Sequence, residues 1–379
     1  MERLFAIFVF FTAFSLQAQK LNFWQKVNNL LTIFPNIDTT YIYQPKQSFT
    51  LGLFSTFQGI GFDTKAQFNI HYNDGAMTHG QTKYSLVEQP SSKLGLELGY
   101  GKFVLGFGIE LGPNKAYKKQ ILGLNLLGRA WGVHFNYFRV SHRFKSDIEF
   151  GSPGDNNYQK DQILSTDPSM LEYLSLDGYY VFNNKKFAYP ATYKAGLVQR
   201  KTAGSWMVTG RFIQGLLYNS SSPEDIFDYY NLMDRFSTLQ FSLGGGYSVN
   251  FVCWHKDPSQ NRDKGLRNLT INLTLLPVLT AFNYMKIKTF ELTDDNNTLE
   301  ERNSTTFCYP MPNIIGSSAV GLTLGRFFIS AQFVYDWSYF RSGQAINTIS
   351  FPDKPSLEDL SISGAFNYWK LKLLFTYKF

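Results

Sequence analysis

Five histidines, His71, His79, His134, His142 and His255, are the side chains of this chain best suited to moving protons near neutral pH. Ester or amide hydrolysis needs such a base within hydrogen-bond reach of a nucleophile, with a third group to orient it. His134 shares one side of an alternating segment with Asn136, and His142 follows Ser141, but no lipase or deacylase signature surrounds either pair. No catalytic residue is therefore assigned. Glu291, Asp294, Asp295, Glu300 and Glu301 supply the oxygen ligands that hard cations favour, without the glycine and terminal glutamate of a calcium loop. Gly244-Gly-Gly246 and Gly99-Tyr-Gly101 lack the strand-to-helix setting of a phosphate loop. The sequence thus predicts no metal site and no cofactor.

A second group of charged residues is more telling, because each sits alone in an otherwise apolar alternation. Lys93, Glu97, Glu110, Arg211, Asp336, Lys370 and Lys372 fall on the polar side of segments whose other side is aliphatic or aromatic. In Lys93 to Tyr100, Leu94, Leu96, Leu98 and Tyr100 alternate with Lys93, Gly95, Glu97 and Gly99. In Asn268 to Leu275, Leu269, Ile271, Leu273 and Leu275 alternate with Asn268, Thr270, Asn272 and Thr274. A period of two places neighbouring side chains on opposite faces of a sheet, so these segments are strands with one greasy and one polar face.

Such segments recur near 48–57, 62–72, 92–100, 103–112, 119–128, 131–141, 171–182, 191–201, 204–218, 236–251, 267–283, 314–325, 326–340 and 366–379. Only 17% of residues are charged and 17% are aromatic, yet no long apolar run follows the amino terminus. Helices and closed barrels alone satisfy every backbone polar group in lipid. The expected fold is therefore all-β: a transmembrane antiparallel up-and-down barrel of about 12–14 strands, 14 by this parse, over residues 47–379. The seven charged residues above are its candidate lumen lining. Long polar connections near 219–235, 284–312 and 341–357 are expected outer loops, and the segment near 142–170 fits either side. Cys253 and Cys308 then lie near opposite ends, beyond the ~7 Å Cα limit of a disulfide, and are expected as free thiols.

The two ends of the chain agree with an exported barrel. Leu4 to Leu16 is apolar, Arg3 precedes it, and Gln17-Ala-Gln19 follows, which predicts a signal peptide over 1–18. Phe23, Trp24, Val27, Leu30, Leu31 and Phe34 recur at helical spacing before Pro35, predicting a short amphipathic helix within a periplasmic segment over 19–46. The last strand sets Trp369, Leu371, Leu373, Phe375, Tyr377 and Phe379 against Lys370, Lys372, Thr376 and Lys378. Its aromatic end, Phe375, Tyr377 and Phe379, resembles the assembly signal of bacterial outer-membrane barrels.

Gly178-Tyr-Tyr-Val-Phe-Asn-Asn-Lys-Lys-Phe-Ala-Tyr-Pro-Ala191, followed by Gln199-Arg-Lys-Thr-Ala-Gly-Ser-Trp206, resembles the central signature of an uncharacterised family of outer-membrane β-barrel proteins from Bacteroides-type Gram-negative bacteria. The likeness extends more loosely over Asp38-Thr-Thr-Tyr41, the first strands and the last strand. It implies a barrel of unknown activity and supplies no substrate. Read from its residues, the signature is a hairpin that turns at Lys185-Lys186 and stops pairing at Pro190. Lys185, Lys186, Arg200 and Lys201 are the alternative, ligand-contacting reading.

Three functions fit a barrel of this kind. The first is a porin-like passage for small solutes, with selectivity set by the charged lumen. The second is a non-channel surface or structural barrel that binds a partner through its long loops, and the third is an enzyme acting on outer-membrane lipid. A net charge of +7 favours anionic lipopolysaccharide as a neighbour, and nothing resembles a nucleic-acid module. The expected partners are outer-membrane lipid, lipopolysaccharide and the barrel-assembly machinery, with the solute unspecified.

Overall fold

The computed structural model describes residues 37–44, 49–71, 77–86, 91–100, 103–111, 119–142, 144–150, 159–164, 169–218, 235–257, 265–293, 298–342 and 356–379. The signal peptide and the amphipathic helix lie outside these residues. Thr39–Phe379 forms one compact unit, to which the description is confined. Its strands are β1 (Ile42–Tyr43), β2 (Phe49–His71), β3 (Met77–Leu86), β4 (Ser91–Tyr100), β5 (Phe103–Leu111), β6 (Lys119–Leu127), β7 (Trp131–His142), β8 (Phe144–Phe150) and β9 (Gln159–Leu164). They continue as β10 (Ser169–Val181), β11 (Val198–Gln199), β12 (Ala203–Tyr218), β13 (Arg235–Lys256), β14 (Arg267–Thr293), β15 (Thr298–Phe307), β16 (Met311–Leu324), β17 (Phe327–Arg341) and β18 (Ser356–Lys378).

The sheet runs β2-β4-β5-β6-β7-β10-β12-β13-β14-β16-β17-β18, and β18 then pairs with β2 to close an antiparallel barrel of twelve strands. The expected all-β barrel is what forms, at the lower bound of its strand number. Two segments account for the difference from fourteen. The alternations near 48–57 and 62–72 are one 23-residue strand, and the segment near 191–201 leaves the wall altogether.

β2 begins and β18 ends at the same end of the barrel, here the terminal end. Tight turns gather there, including Gly128–Ala130 and Gly325–Arg326. Gly325, at φ +59°, takes the left-handed conformation that such a turn needs and that glycine adopts without a Cβ penalty. At the opposite, distal end the strands outgrow the ring. β3 continues the line of β4 and pairs with β8, which pairs with β9. β15 likewise continues the line of β16 along β14. Within 284–312, expected as a loop, the distal part of β14 thus pairs with β15, and within 142–170 β8 and β9 extend the sheet distally.

Face assignment follows the alternation closely. Leu94, Leu96, Leu98, Trp206, Val208, Leu273, Leu275, Ile329, Phe333, Leu371, Leu373 and Phe375 all stand exposed on the outer surface. A continuous apolar band of this extent is foreign to a water-soluble monomer. On β14 the extra residue Ala281 lies between the pairs Phe241–Phe282 and Ser242–Thr280, so Thr280 and Asn283 both point inward. That bulge explains why the alternation breaks there in the sequence.

Candidate functional site

The lumen is packed in three layers. Towards the distal end, inward residues from most of the wall meet across the barrel axis: Phe62, Phe138, Tyr173, Phe236, Met285, Phe340 and Phe366 belong to one buried cluster. Phe62 of β2 lies 5.8 Å from Phe236 of β13 and 4.8 Å from Phe366 of β18, centroid to centroid. Strands remote in the ring are thereby bound through their side chains. This layer is a hydrophobic core of the ordinary kind, placed inside a barrel.

Towards the terminal end, residues 182–202 fold into the lumen. Phe182–Lys186 turns, Tyr189–Thr192 forms a single 3-10 turn begun by Pro190, and Phe187 to Lys194 are all buried. Proline suits the first turn of such a helix because its missing N–H would lack a partner there anyway. The segment returns to the rim through β11, which pairs with β1 in a two-stranded sheet. The hairpin expected for this signature is therefore a plug, and 191–201 contributes only Val198–Gln199 as strand.

Its anchors are amides from the wall and a glutamine of its own. Gln199, fully buried, donates to the carbonyls of Lys186 at 2.7 Å and Lys201 at 2.9 Å, and accepts from the Ala188 N–H at 2.9 Å. Asn250 of β13 donates to the Ala188 carbonyl at 2.8 Å, and Asn268 of β14 donates to the Gln199 carbonyl at 2.7 Å. Tyr193 donates its hydroxyl to Asn272 at 2.8 Å, and its main chain accepts from Gln332 at 2.8 Å. On β16, Gly321 leaves the space this backbone needs, since a Cβ there would stand 3.0 Å from Thr192 Cα. At the rim Arg200 pairs with Asp257 at 2.7 Å, and His255 bonds the same carboxylate at 3.0 Å. The hydrogen bond to His255, helped by the charge of Arg200, holds the Asp257 carboxyl below its usual range against a smaller opposing effect of burial. Of the basic signature residues, Lys186 and Lys201 stand over the Tyr41 ring at 5.2 and 5.6 Å and Arg200 over Tyr43 at 5.4 Å, while Lys185 is exposed.

Between plug and core lies a polar belt. Arg211 of β12 reaches across the lumen to Asp336 of β17 in a two-pronged ion pair, one prong at 2.6 Å, and its Nε holds Asp177 of β10. Arg211 and Asp336 are 4% and 5% exposed, so this is a desolvated cross-brace. Lys372 of β18 pairs with Glu97 of β4, its ammonium 5.1 Å from the Phe54 ring centroid. The belt lines a cavity of about 140 Å³. Its lining carries the carboxylates Glu97, Asp177 and Asp336 against the cations Lys194, Arg211, Lys370 and Lys372. Lys370 lines it without an ion-pair partner among the described residues.

The structure therefore brings Glu97, Arg211, Asp336, Lys370 and Lys372 to one cavity. Lys93 stands on the same inward face of β4, opposite Thr56, and the Glu110 side chain lies outside the described ones. Phe375 and Phe379 face outward at the terminal rim, with Tyr377 between them on the same face. His134 bonds Asn125 through Nδ1 at 2.9 Å, and among the described residues no nucleophile reaches it. His79 bonds Asn69 at 3.0 Å, whereas the side chains of His71 and His142 lie outside the described ones. Asp294 and Asp295 also lie outside the described residues, and no group of potential metal ligands gathers among those described. Cys253 and Cys308 are free, as expected. Asp177, Gln199, Asn250 and Asn272 were not singled out by sequence; a row of Asn and Gln on inward faces, needing buried carbonyl partners, is the signal that marks them.

Residues 36–353 match the sequence model of the family described as "Domain of unknown function (DUF4421)". No curated protein matches the chain. Among solved structures it is similar to the outer membrane protease OmpT from Escherichia coli, at 8% identity over 88% of this chain and 97% of that one, with a TM-score of 0.38. It is also similar to a Pseudomonas aeruginosa FadL homologue, at 10% identity over 88% of this chain and 90% of that one, with a TM-score of 0.22.

Proposed function

The chain belongs to the family of domains of unknown function DUF4421, and from that premise we propose that it is an outer-membrane barrel that binds a small anion inside a plugged lumen. The cavity between plug and core carries this reading. A channel needs a water path from end to end, whereas the plug and the aromatic core lie on either side of the belt among the described residues. Cations outnumber carboxylates in the lining, and Lys370 is left to meet a ligand charge. An engineered cavity of ~150 Å³ holds a benzene, so an anionic group of about that bulk fits.

Outer-membrane residence is supported by the outward apolar band, the leader-like Leu4–Leu16 and the aromatic carboxy terminus. The same features support lipopolysaccharide and the assembly machinery as partners. The Gly178–Trp206 signature supports a Bacteroides-type source. The porin-like reading is the less favoured one, because it requires both lumen layers to part.

Two measurements test the proposal. Purified protein in planar bilayers should show no conductance above the detergent control, and steady open channels would defeat the plugged reading. Radiolabelled hexanoate should bind the full-length protein saturably, and Lys370→Gln should weaken it tenfold or more. Unsaturable binding, equal in both proteins, would remove the cavity as a site.

A further inference from the structure

Around the ring, neighbouring strands are joined by long ladders: β4–β5 pairs from Ser92–Leu111 to Tyr100–Phe103, and β6–β7 from Lys119–Val140 to Leu127–Gly132. The seam between β5 and β6 differs. It holds only Phe103–Leu126 and Val104–Asn125, at its terminal end. Beyond that rung both strands continue, each bonded on its far side and, among the described residues, without a ladder on the side facing the other. This stretch lies within the apolar band, because the rung that carries Phe107 runs through Leu96 and Leu53 to Phe375, all exposed outward. Backbone without partners at hydrocarbon depth is tolerated only where it borders protein or a wet cavity.

Here the cavity reaches the edge of that stretch. Val104 and Asn125, the last paired rung, both line the cavity. On the inner side β5 presents Gly106 and Gly108, which fill nothing; behind them stands the Phe54 ring, 3.4 Å from where a Gly106 Cβ would be. On the outer side Phe107, Ile109 and Leu122 are 65%, 71% and 47% exposed. A path through the seam thus passes from aliphatic and aromatic side chains, past two glycines and a phenyl ring, to the ammonium groups of Lys372 and Lys370. That order of surfaces fits a molecule with an apolar tail and an anionic head.

We propose that the cavity is entered sideways, from the apolar layer of the membrane through the β5–β6 seam, and that its ligand is an anionic amphiphile whose head meets Lys370 while its chain lies between Phe107, Ile109 and Leu122. The proposal rests on the reading of the cavity as an anion site and adds the route and the tail. It also gives a cavity flanked along the barrel axis by plug and core a way to exchange its contents.

The test uses full-length protein in detergent micelles with two probes, a photoreactive palmitate carrying a mid-chain diazirine and hexanoate. Irradiation followed by peptide mapping should place the palmitate label on β5 and β6, around 106–109 and 122–124. Label spread evenly over the outer surface overturns the route. Gly106→Leu should slow palmitate association at least tenfold and leave hexanoate affinity unchanged; unaltered palmitate kinetics in a folded variant also overturn it. Should that variant not fold, judged by heat-modifiable mobility, the wild-type label map decides alone. Hexanoate binding without palmitate binding defeats the lateral route and spares the cavity, whereas absence of both defeats the cavity reading itself. Competition against palmitate by lysophosphatidic acid or by oleate distinguishes a lipid-derived amphiphile from a free carboxylate, and failure of both competitors overturns the ligand class.

Discussion

Arg211 is the residue on which the lumen's electrostatics turn. Its guanidinium serves two carboxylates at once, one of them across the barrel, and the fork geometry that does so has no equivalent in lysine. Removing one partner of a buried ion pair costs about 3–5 kcal/mol, mostly by stranding the other charge. Arg211→Met is therefore expected to lower unfolding stability in detergent by about that amount, read from urea midpoints at constant slope. Arg211→Lys should rescue little. Adding Asp336→Leu to Arg211→Met should recover part of the loss, because the second change removes the stranded carboxylate. Strict additivity of the two single effects would show that the cross-lumen pair does not act as a unit.

At the scale of elements, the plug is held by hydrogen bonds as well as by apolar contact, and Gln199 takes part in several of them. Its truncation leaves the Ala188 N–H and the Lys186 and Lys201 carbonyls without their partner, each such buried group costing about 1–3 kcal/mol. Gln199→Ala should strip amide-exchange protection from 187–194 while β12 and β13 keep theirs; uniform loss throughout the barrel would mean that the plug does not open as a separate unit. The rim clamp responds to acid. Because Asp257 is held below its ordinary range, its contribution is present above the unfolded carboxylate range and fades as pH falls through and below it. Asp257 is largely exposed, so the effect is under about 1 kcal/mol. The Arg200 amide, bonded to the Tyr41 carbonyl at 2.6 Å, should lose protection modestly at acid pH in the wild type and at neutral pH in Asp257→Asn. The wall strands were legible in the sequence because a half-buried strand in lipid must alternate, and Lys370, Lys372 and Glu97 stood out against that pattern. The plug was not. Phe187 to Lys194 is buried on every side and therefore has no period, and its tyrosines read equally well as rim anchors.

At the scale of the molecule, the same logic explains why an open lumen could be expected and a packed one found. Phe62, Phe366 and Tyr368 turn inward, while Asp63, Lys65, Gln67, Ser363 and Asn367 take the other face, so along the distal parts of β2 and β18 the alternation persists with its sense reversed and the inner face is the apolar one. Those two strands also close the ring. β18 must find β2 across almost the whole chain, a contact of extreme sequence separation, and the last residue helps to register it: the Phe379 N–H donates to the Phe49 carbonyl at 3.0 Å, and its ring lies 5.8 Å from Phe49 and 5.1 Å from Tyr377. One hydrogen bond and two exposed ring contacts amount to no more than about 2–3 kcal/mol, too little to unfold a closed barrel. Deletion of Phe379 should therefore leave the unfolding midpoint of refolded protein nearly unchanged while sharply reducing the amount assembled in cells. A large drop in the refolded midpoint would make Phe379 a structural seam residue instead of an assembly signal, and normal cellular levels of the deletion would remove it from both roles.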